Sequence, residues 1–311
     1  MMLASDDFRF TAATILSLVS SIGIISNSLV FAALWRKYGE NGGFAKICLV
    51  KSWINLIVCI GTLLWPVPCV LLNQYFLPLV YNVIFGQILG WFACTLAPLT
   101  QILLTSNRAF AVYLPQHFNK IYIYNPTTIC LIISILISIL FSIAGFYEGC
   151  HFLYVLEYFG WAPEDSACAQ SLSAFFLVVV FGMAVVSNLF NVTVLFKLIS
   201  DAVSIYASIT VSSIETKRRR SKRRIMFIQS ILQDCLNLIH MCNTTLTFRI
   251  YDAAWFQFAC LSVSLVFVRT LEGFVMLLLN VQIRNEAQLL LHFKSRIYKN
   301  DLVLYPSRVN F

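Results

Sequence analysis

Residues 127–147 read TTICLIISILISILFSIAGFY, 21 positions without a single charge. A helix rising about 1.5 Å per residue needs roughly 20 such residues to cross some 30 Å of hydrocarbon, so the stretch is long enough for one membrane crossing. Outward from it in both directions, six more runs of the same kind lie near 11–35, 47–72, 81–107, 171–199, 225–248 and 255–281. The second holds Lys51 with Pro66 and Pro68, and the sixth holds Asp234 and His240, so a re-entrant segment is the alternative for each. The 311-residue chain as a whole agrees, with 59% apolar and 12% charged residues against about 45–50% and about 25% in soluble domains. A soluble globular enzyme is excluded. The expected fold class is all-α: a polytopic membrane protein, a seven-transmembrane helix bundle with one receptor domain over 11–281.

The formal charge of +8 is distributed unevenly. With the N-terminus outside, the inner side holds Arg36, Lys37, Lys46, Lys120, Lys197, the run Lys217 to Arg224, Arg284, Lys294, Arg296, Lys299 and Arg308. The outer side keeps only Arg9 and Arg249 of the basic residues, beside Asp6, Asp7, Glu148, Glu157, Glu164, Asp165 and Asp252. Such a bias orients a multispanning chain and requires an odd number of crossings, which seven spans satisfy. Residues 1–10 are then a short extracellular N-terminus, too short and too acidic for a cleaved leader, and the first span serves as signal anchor. No repeat and no matching pair of interrupted helices appears, which weighs against the rival class of small transporters and channels. A hydrated polar path would be that rival's discriminating feature.

Three stretches carry chemistry beyond hydropathy. Residues 23–30, GIISNSLV, put Asn27 in the first span, similar to the G-N-x-L-V stretch of rhodopsin-like receptors. Asn107-Arg108-Ala109, running on to Pro115, resembles their D-R-Y-x-A-V-x-x-P signature with Asn in place of Asp. MFIQSILQD at 226–234 and VRTLEGFVM at 268–276 resemble the sixth and seventh helices of the nematode serpentine chemoreceptors of class x (Srx). There an F-I-Q-x-x-x-Q-D stretch is matched by Phe227, Ile228, Gln229, Gln233 and Asp234. An H-x-L-D-G-like stretch is matched by Leu271, Glu272 and Gly273, with Arg269 where a His is usual. The resemblance covers roughly 15–285, and a sibling nematode class is its main competitor.

The resemblance implies a chemosensory G-protein-coupled receptor at the plasma membrane, with sensory-neuron cilia as the expected place. Its partners would be an odorant or pheromone outside and a heterotrimeric G protein inside, with no cofactor and no enzymatic activity. A receptor-like protein that no longer signals is the variant reading, suggested by Asn107 and by a seventh span without N-P-x-x-Y. A fourth span without Trp and a sixth without C-W-x-P also depart from rhodopsin-like receptors. The seventh span has no lysine for a retinal Schiff base, and the third no carboxylate for a cationic transmitter.

Arg108 either snorkels to the inner interface as an anchor or uses its planar fork on sixth-helix polar groups at rest and on a G protein when active. Lys217, Arg218, Arg219 and Arg220 open a run of seven basic residues in eight positions. Such a run is attracted to anionic inner-leaflet lipid, which is compatible with docking a G protein. A run tied to the membrane on both sides argues against nucleic acid. Lys51, Asp234, Arg269 and Glu272 fall at depth, where charges pair and face the bundle, so a neutralising network joining helices two, six and seven is expected. Gln233 and Gly273 join Asn27 as structural positions.

The ten cysteines show no metal-ligand spacing. Cys150 and Cys168 share the second outer loop, which matures in an oxidising lumen, so a disulfide between them is expected. Asn191-Val-Thr193 and Asn243-Thr-Thr245 match a glycosylation pattern but lie in or at the membrane. Residues 282–311 form a cytoplasmic tail in which 283–298 read as an amphipathic surface helix. A ligand pocket is expected between the outer halves of spans three, five, six and seven, near Gln87, Trp91, Asn243, Trp255 and Gln257, suited to a small, largely apolar molecule. The sequence says nothing about oligomerisation.

Overall fold

The computed structural model describes residues 6–36, 42–113, 126–207 and 214–291. Its long helices are α1 (Asp6–Arg36), α2 (Gly43–Leu72), α3 (Leu79–Tyr113), α4 (Pro126–Ala144), α5 (Ala167–Ala207), α6 (Ile214–Thr245) and α7 (Ala254–Leu279), followed by α8 over 281–291. Together they form a seven-helix bundle with a short eighth helix. Several run past the limits set by the apolar runs, because hydrocarbon thickness limits the apolar stretch and not the helix that contains it. Among the described residues six of them are long and apolar enough to cross a bilayer. In α6, part of whose side chains lie outside the described residues, the inward face carries buried Gln229, Ser230, Gln233, Asp234 and His240.

Local chemistry shapes the helices. Asp6 and Asp7 in the first turn of α1 and Arg36 in its last complement the helix dipole. α2 breaks at Trp65, since Pro66 lacks the N–H to continue the ladder, and resumes with that proline at its first position. It ends at Asn73, whose φ of 51° is left-handed. α3 contains a π-helical turn at Gly86–Phe92, and α7 another at Ala259–Val263. Asn280 closes α7, and its Oδ1 then accepts the backbone N–H groups of Gln282 at 3.1 Å and Ile283 at 3.3 Å, which caps α8. In α8, Ile283 and Ala287 are buried while Leu289 and Leu291 are exposed, so the described part of the tail has two faces.

α1, α2 and α7 pack together, and α3 lies at the centre against α2, α4, α5 and α6. Gly23 and Gly273 permit the α1–α7 approach: a Cβ at Gly273 would come within 2.9 Å of the Asn27 side chain, and one at Gly23 would strike Thr270 and Cys59. Two apolar clusters fill the bundle, one towards the hairpin around Trp65, Leu89 and Phe159 and one at the opposite end around Ile47, Leu104 and Met276.

The all-α expectation misses one element. Residues 150–168 hold an antiparallel hairpin, β1 (Phe152–Val155) with β2 (Gly160–Pro163), in which Tyr154 pairs with Trp161. Each strand has four residues, too short to produce a readable alternation in the sequence. The hairpin caps one end of the bundle, resting on both π-helical turns. Gly86 makes this possible, since any Cβ there would collide with the Phe152 carbonyl oxygen.

Candidate functional site

Beneath the hairpin lies a cavity of about 860 Å³ between α3, α5, α6 and α7. Its roof is Phe152, Tyr158 and Trp161, and its α3 wall is Leu89, Trp91 and Cys94. Leu261 and Leu265 of α7, Phe176, Phe181 and Met183 of α5 and Met241 of α6 complete an apolar lining. Polar groups gather at the floor, Gln101, Ser187, Asn188, Asp234, Asn237, His240 and Arg269, and Ser173, Thr244, Thr245 and Arg249 add others nearer the hairpin end. Burial pushes the Tyr158 phenol up to about 12, helped by Glu157, so in the roof it is a neutral hydroxyl.

The roof is tied down in several ways. Cys150 and Cys168 are disulfide-bonded. Asn82 Oδ1 accepts from Trp65 Nε1 at 3.0 Å and from the Tyr154 amide at 2.9 Å, while its Nδ2 donates to the Tyr154 carbonyl at 3.1 Å. That carbonyl also accepts from the Tyr75 hydroxyl at 2.8 Å, and Ser262 Oγ donates to the Phe159 carbonyl. Phe8 of α1 stacks on Phe159 with ring centroids 5.8 Å apart.

Below the floor a charged cluster joins the helices. Lys51 Nζ lies 2.8 Å from Glu272 Oε1 and also donates to Gln101 Oε1, and Arg269 Nη1 lies 3.5 Å from Glu272 Oε2. Asn237 bridges the two residues of α7, donating to Glu272 at 2.8 Å and accepting from Arg269 at 3.3 Å. Asn27 donates to the Arg269 carbonyl at 3.2 Å and accepts from Asn55 at 3.1 Å, which extends the network to α1. Lys51 and Glu272 are fully buried and Arg269 nearly so. Such charges persist in a low-dielectric interior only when paired, and leaving one unpaired costs about 3–5 kcal/mol.

Asp234 departs from the expected network. It bonds no cation there; Ser187 Oγ donates to it at 2.9 Å and Asn191 Nδ2 donates to its other oxygen, so it ties α6 to α5. The reason is helical geometry: Asp234 lies on the α5-facing edge of α6, beside the Phe227–Val194 contact, and Asn237 one turn away takes the place facing α7. Thr105 of α3 reaches Ser187 at 3.3 Å and completes that link.

Arg108 also sits differently from its expected resting position. Its guanidinium stacks on the Phe44 ring of α2 at 4.8 Å, and none of its three side-chain nitrogens has a hydrogen-bond partner. Gln229, Ser230 and Gln233 of α6 are fully buried, and their polar side-chain atoms are likewise unpartnered. The planar fork can lie flat on an aromatic ring, which accounts for its choice of α2 over α6. Asn107 precedes it on α3.

A family model described as serpentine type 7TM GPCR chemoreceptor Srx matches residues 18–280. The chain belongs to that family. The crystal structure of squid rhodopsin is similar over 92% of this chain and 81% of its own, with a TM-score of 0.69 and 9% identity, a likeness of fold. A search of curated proteins finds no match. This Srx chain is therefore a seven-transmembrane receptor of the G-protein-coupled class and an integral membrane protein.

The structure brings together some of the residues singled out in the Srx sequence and disperses others. Of the five named for ligand, Trp91 lines the cavity; Gln87, Asn243, Trp255 and Gln257 are not among its lining residues. Gln87 is buried against Gly145 at the end of α4, and Asn243 donates to Ser264 at 3.1 Å. Trp255 is 57% exposed and clusters with Tyr251 and Phe256, as aromatic residues of a membrane interface do. Of the basic run, only the backbone of Lys217, Arg218, Arg219 and Arg220 is described, as part of α6; their side chains, with Pro115, Lys120 and residues beyond 291, lie outside the described residues. Sequence reading missed Asn237, Gln101, Ser187 and Asn191. Asn237 had a signal, since it lies one turn beyond Gln233 and Asp234 on an inward face.

Proposed function

We propose that this Srx receptor binds a small, largely apolar odorant or pheromone in the cavity beneath the hairpin and converts that event into activation of a heterotrimeric G protein on the inner side. The N-terminus is outside and the tail inside, at the plasma membrane of a chemosensory cell and in particular its cilia. The observation that carries the reading is the placement of the cavity. Its floor is made by Gln101, Asn237 and Arg269, the same side chains that hold Lys51 and Glu272 together, so a ligand on the floor touches a network spanning α2, α3, α6 and α7. A ligand shifts a conformational equilibrium only through contacts that differ between states, and a shared polar floor supplies such contacts.

The inner end offers the output. Arg108 has donors that no described residue takes up, available to a partner's carbonyl groups once the guanidinium leaves the Phe44 ring. The basic run on α6 adds attraction to acidic lipid and to an acidic partner surface. Imaging of calcium or cyclic nucleotides in cells expressing the receptor, screened against small volatile and secreted compounds, tests the reading. An active compound should lose its effect when the cavity is filled by Leu265→Trp at matched surface expression. Unchanged sensitivity in that variant would place the ligand elsewhere.

A further inference from the structure

The cavity wall is uneven. Towards α3 and α7 it is sealed, with Leu89 1%, Trp91 2% and Leu265 6% exposed. On α5 the lining includes Val178 at 71% and Phe181 at 53% exposed, and an added Cβ at Gly182 would meet nothing within 4 Å. These residues line the cavity and face the outside of the bundle at once, so the wall there is open. Taking residue 171 as the start of the fifth span, Val178 and Gly182 lie about 10–16 Å below the outer surface at ~1.5 Å per residue. That depth is hydrocarbon, and Val178, Phe181 and Gly182 present no polar side chain to it.

Along the bundle axis the hairpin covers the cavity over α3 and α7, and among the described residues the lining reaches the surface there only at Leu246 and Arg249 of the α6–α7 connection. The hairpin rests on the π-helical turns of α3 and α7 and is held by the disulfide, by Asn82, Tyr75 and Ser262, and by the Phe8–Phe159 stack. We propose that the cavity opens sideways between α5 and α6 into the outer leaflet, and that its ligand arrives dissolved in the bilayer. The class of molecule that fits is uncharged and membrane-partitioning, with an apolar body for the Phe181 and Leu265 walls and one hydroxyl or carbonyl for the floor. A charged, freely soluble molecule would have to cross hydrocarbon to reach the α5 opening, and the other exposed edge, at Leu246 and Arg249, carries a cation that disfavours a cationic ligand. The inference rests on the cavity being the ligand site, and its test separates the two.

The probe is 3-trifluoromethyl-3-phenyldiazirine, small, uncharged and lipid-soluble, added to proteoliposomes of the full chain and photolysed at increasing times. In the unaltered receptor the label should appear on Trp91 and Leu265 inside the cavity, and on Leu140, which is 65% exposed on α4. Gly182→Trp and Val178→Trp, both at the open edge of the cavity, should each slow labelling of Trp91 and Leu265 by about tenfold or more while the final extent of labelling stays the same, because a ring there narrows the entry. A lower final extent at an unchanged rate would mean that the ring fills the cavity and would count against lateral entry. Labelling of Leu140 should stay unchanged and shows that the bundle is folded. Loosening the roof by Cys168→Ser should leave the entry rate as it was. Equal rates in both tryptophan variants, or acceleration by Cys168→Ser, would overturn lateral entry while leaving the cavity intact as a site. Absence of label on Trp91 and Leu265 in the unaltered chain would instead remove the cavity reading itself.

Discussion

Glu272 is shared by two cations, and that sharing sets how the buried charges respond to substitution. Lys51 and Arg269 carry two positive charges and Glu272 with Asp234 two negative ones, so the four sum to zero and removing one carboxylate alone leaves an excess positive charge. Glu272→Gln would leave Lys51 and Arg269 facing each other unneutralised, at a cost of about 3–5 kcal/mol. Adding Lys51→Met restores neutrality. The melting midpoint of the purified receptor should fall sharply in Glu272→Gln and recover by more than half in the double variant; a double variant as unstable as the single would show that shape and not charge dominates. The four charges were legible in the sequence because a charge inside an apolar run is costly unless it faces the bundle and pairs. Asp234's real partners were not, since Ser187 and Asn191 inside an apolar helix carry no periodic signal, and which edge of α6 faces α5 emerges only on packing. Arg108 is a similar case: its presence at the inner end of α3 could be read, its stacking on Phe44 of the neighbouring helix could not.

At the scale of the element, the hairpin depends on two residues of α3. Asn82 satisfies both the amide and the carbonyl of Tyr154, and a buried backbone group left without a partner costs about 1–3 kcal/mol. Asn82→Leu is therefore expected to speed hydrogen exchange at the Tyr154 amide by about tenfold or more, with α1 and α7 amides unchanged, as measured by exchange mass spectrometry. An unchanged Tyr154 rate would mean that the disulfide alone holds the roof. Gly86→Ala tests the other residue, because its new Cβ meets backbone, which cannot rotate aside. That variant should mature poorly, whereas Gly182→Ala on open α5 should not. The helices could be read from apolar run length, and the cysteine pair from its loop. The hairpin could not, because its strands are short and its stability comes from long-range contacts: Tyr154 with Asn82 and Phe159 with Ser262. α6 lies between the two cases: its apolar run at 225–248 could be read, though Asp234 and His240 left a re-entrant segment as the alternative, and which polar residues it turns inward emerges only on packing.

For the molecule as a whole, the charge asymmetry argues for an outer N-terminus and an inner tail. Tags at the two ends, stained with and without permeabilisation, should be reached from opposite sides; tags on the same side would contradict seven crossings. The bundle then has an outer cavity, a polar core that contacts it, and an inner arginine with free donors. The measurement that tests this chain of contacts most directly is signalling by Arg108→Lys and Arg108→Ala at matched surface density, using a compound that activates the unaltered receptor. A lysine keeps the charge but loses the planar fork. Both variants should reach the surface and bind the compound, and both should lose most of the evoked G-protein response. Full signalling by Arg108→Lys at equal density would contradict the account and leave Arg108 as an interfacial anchor.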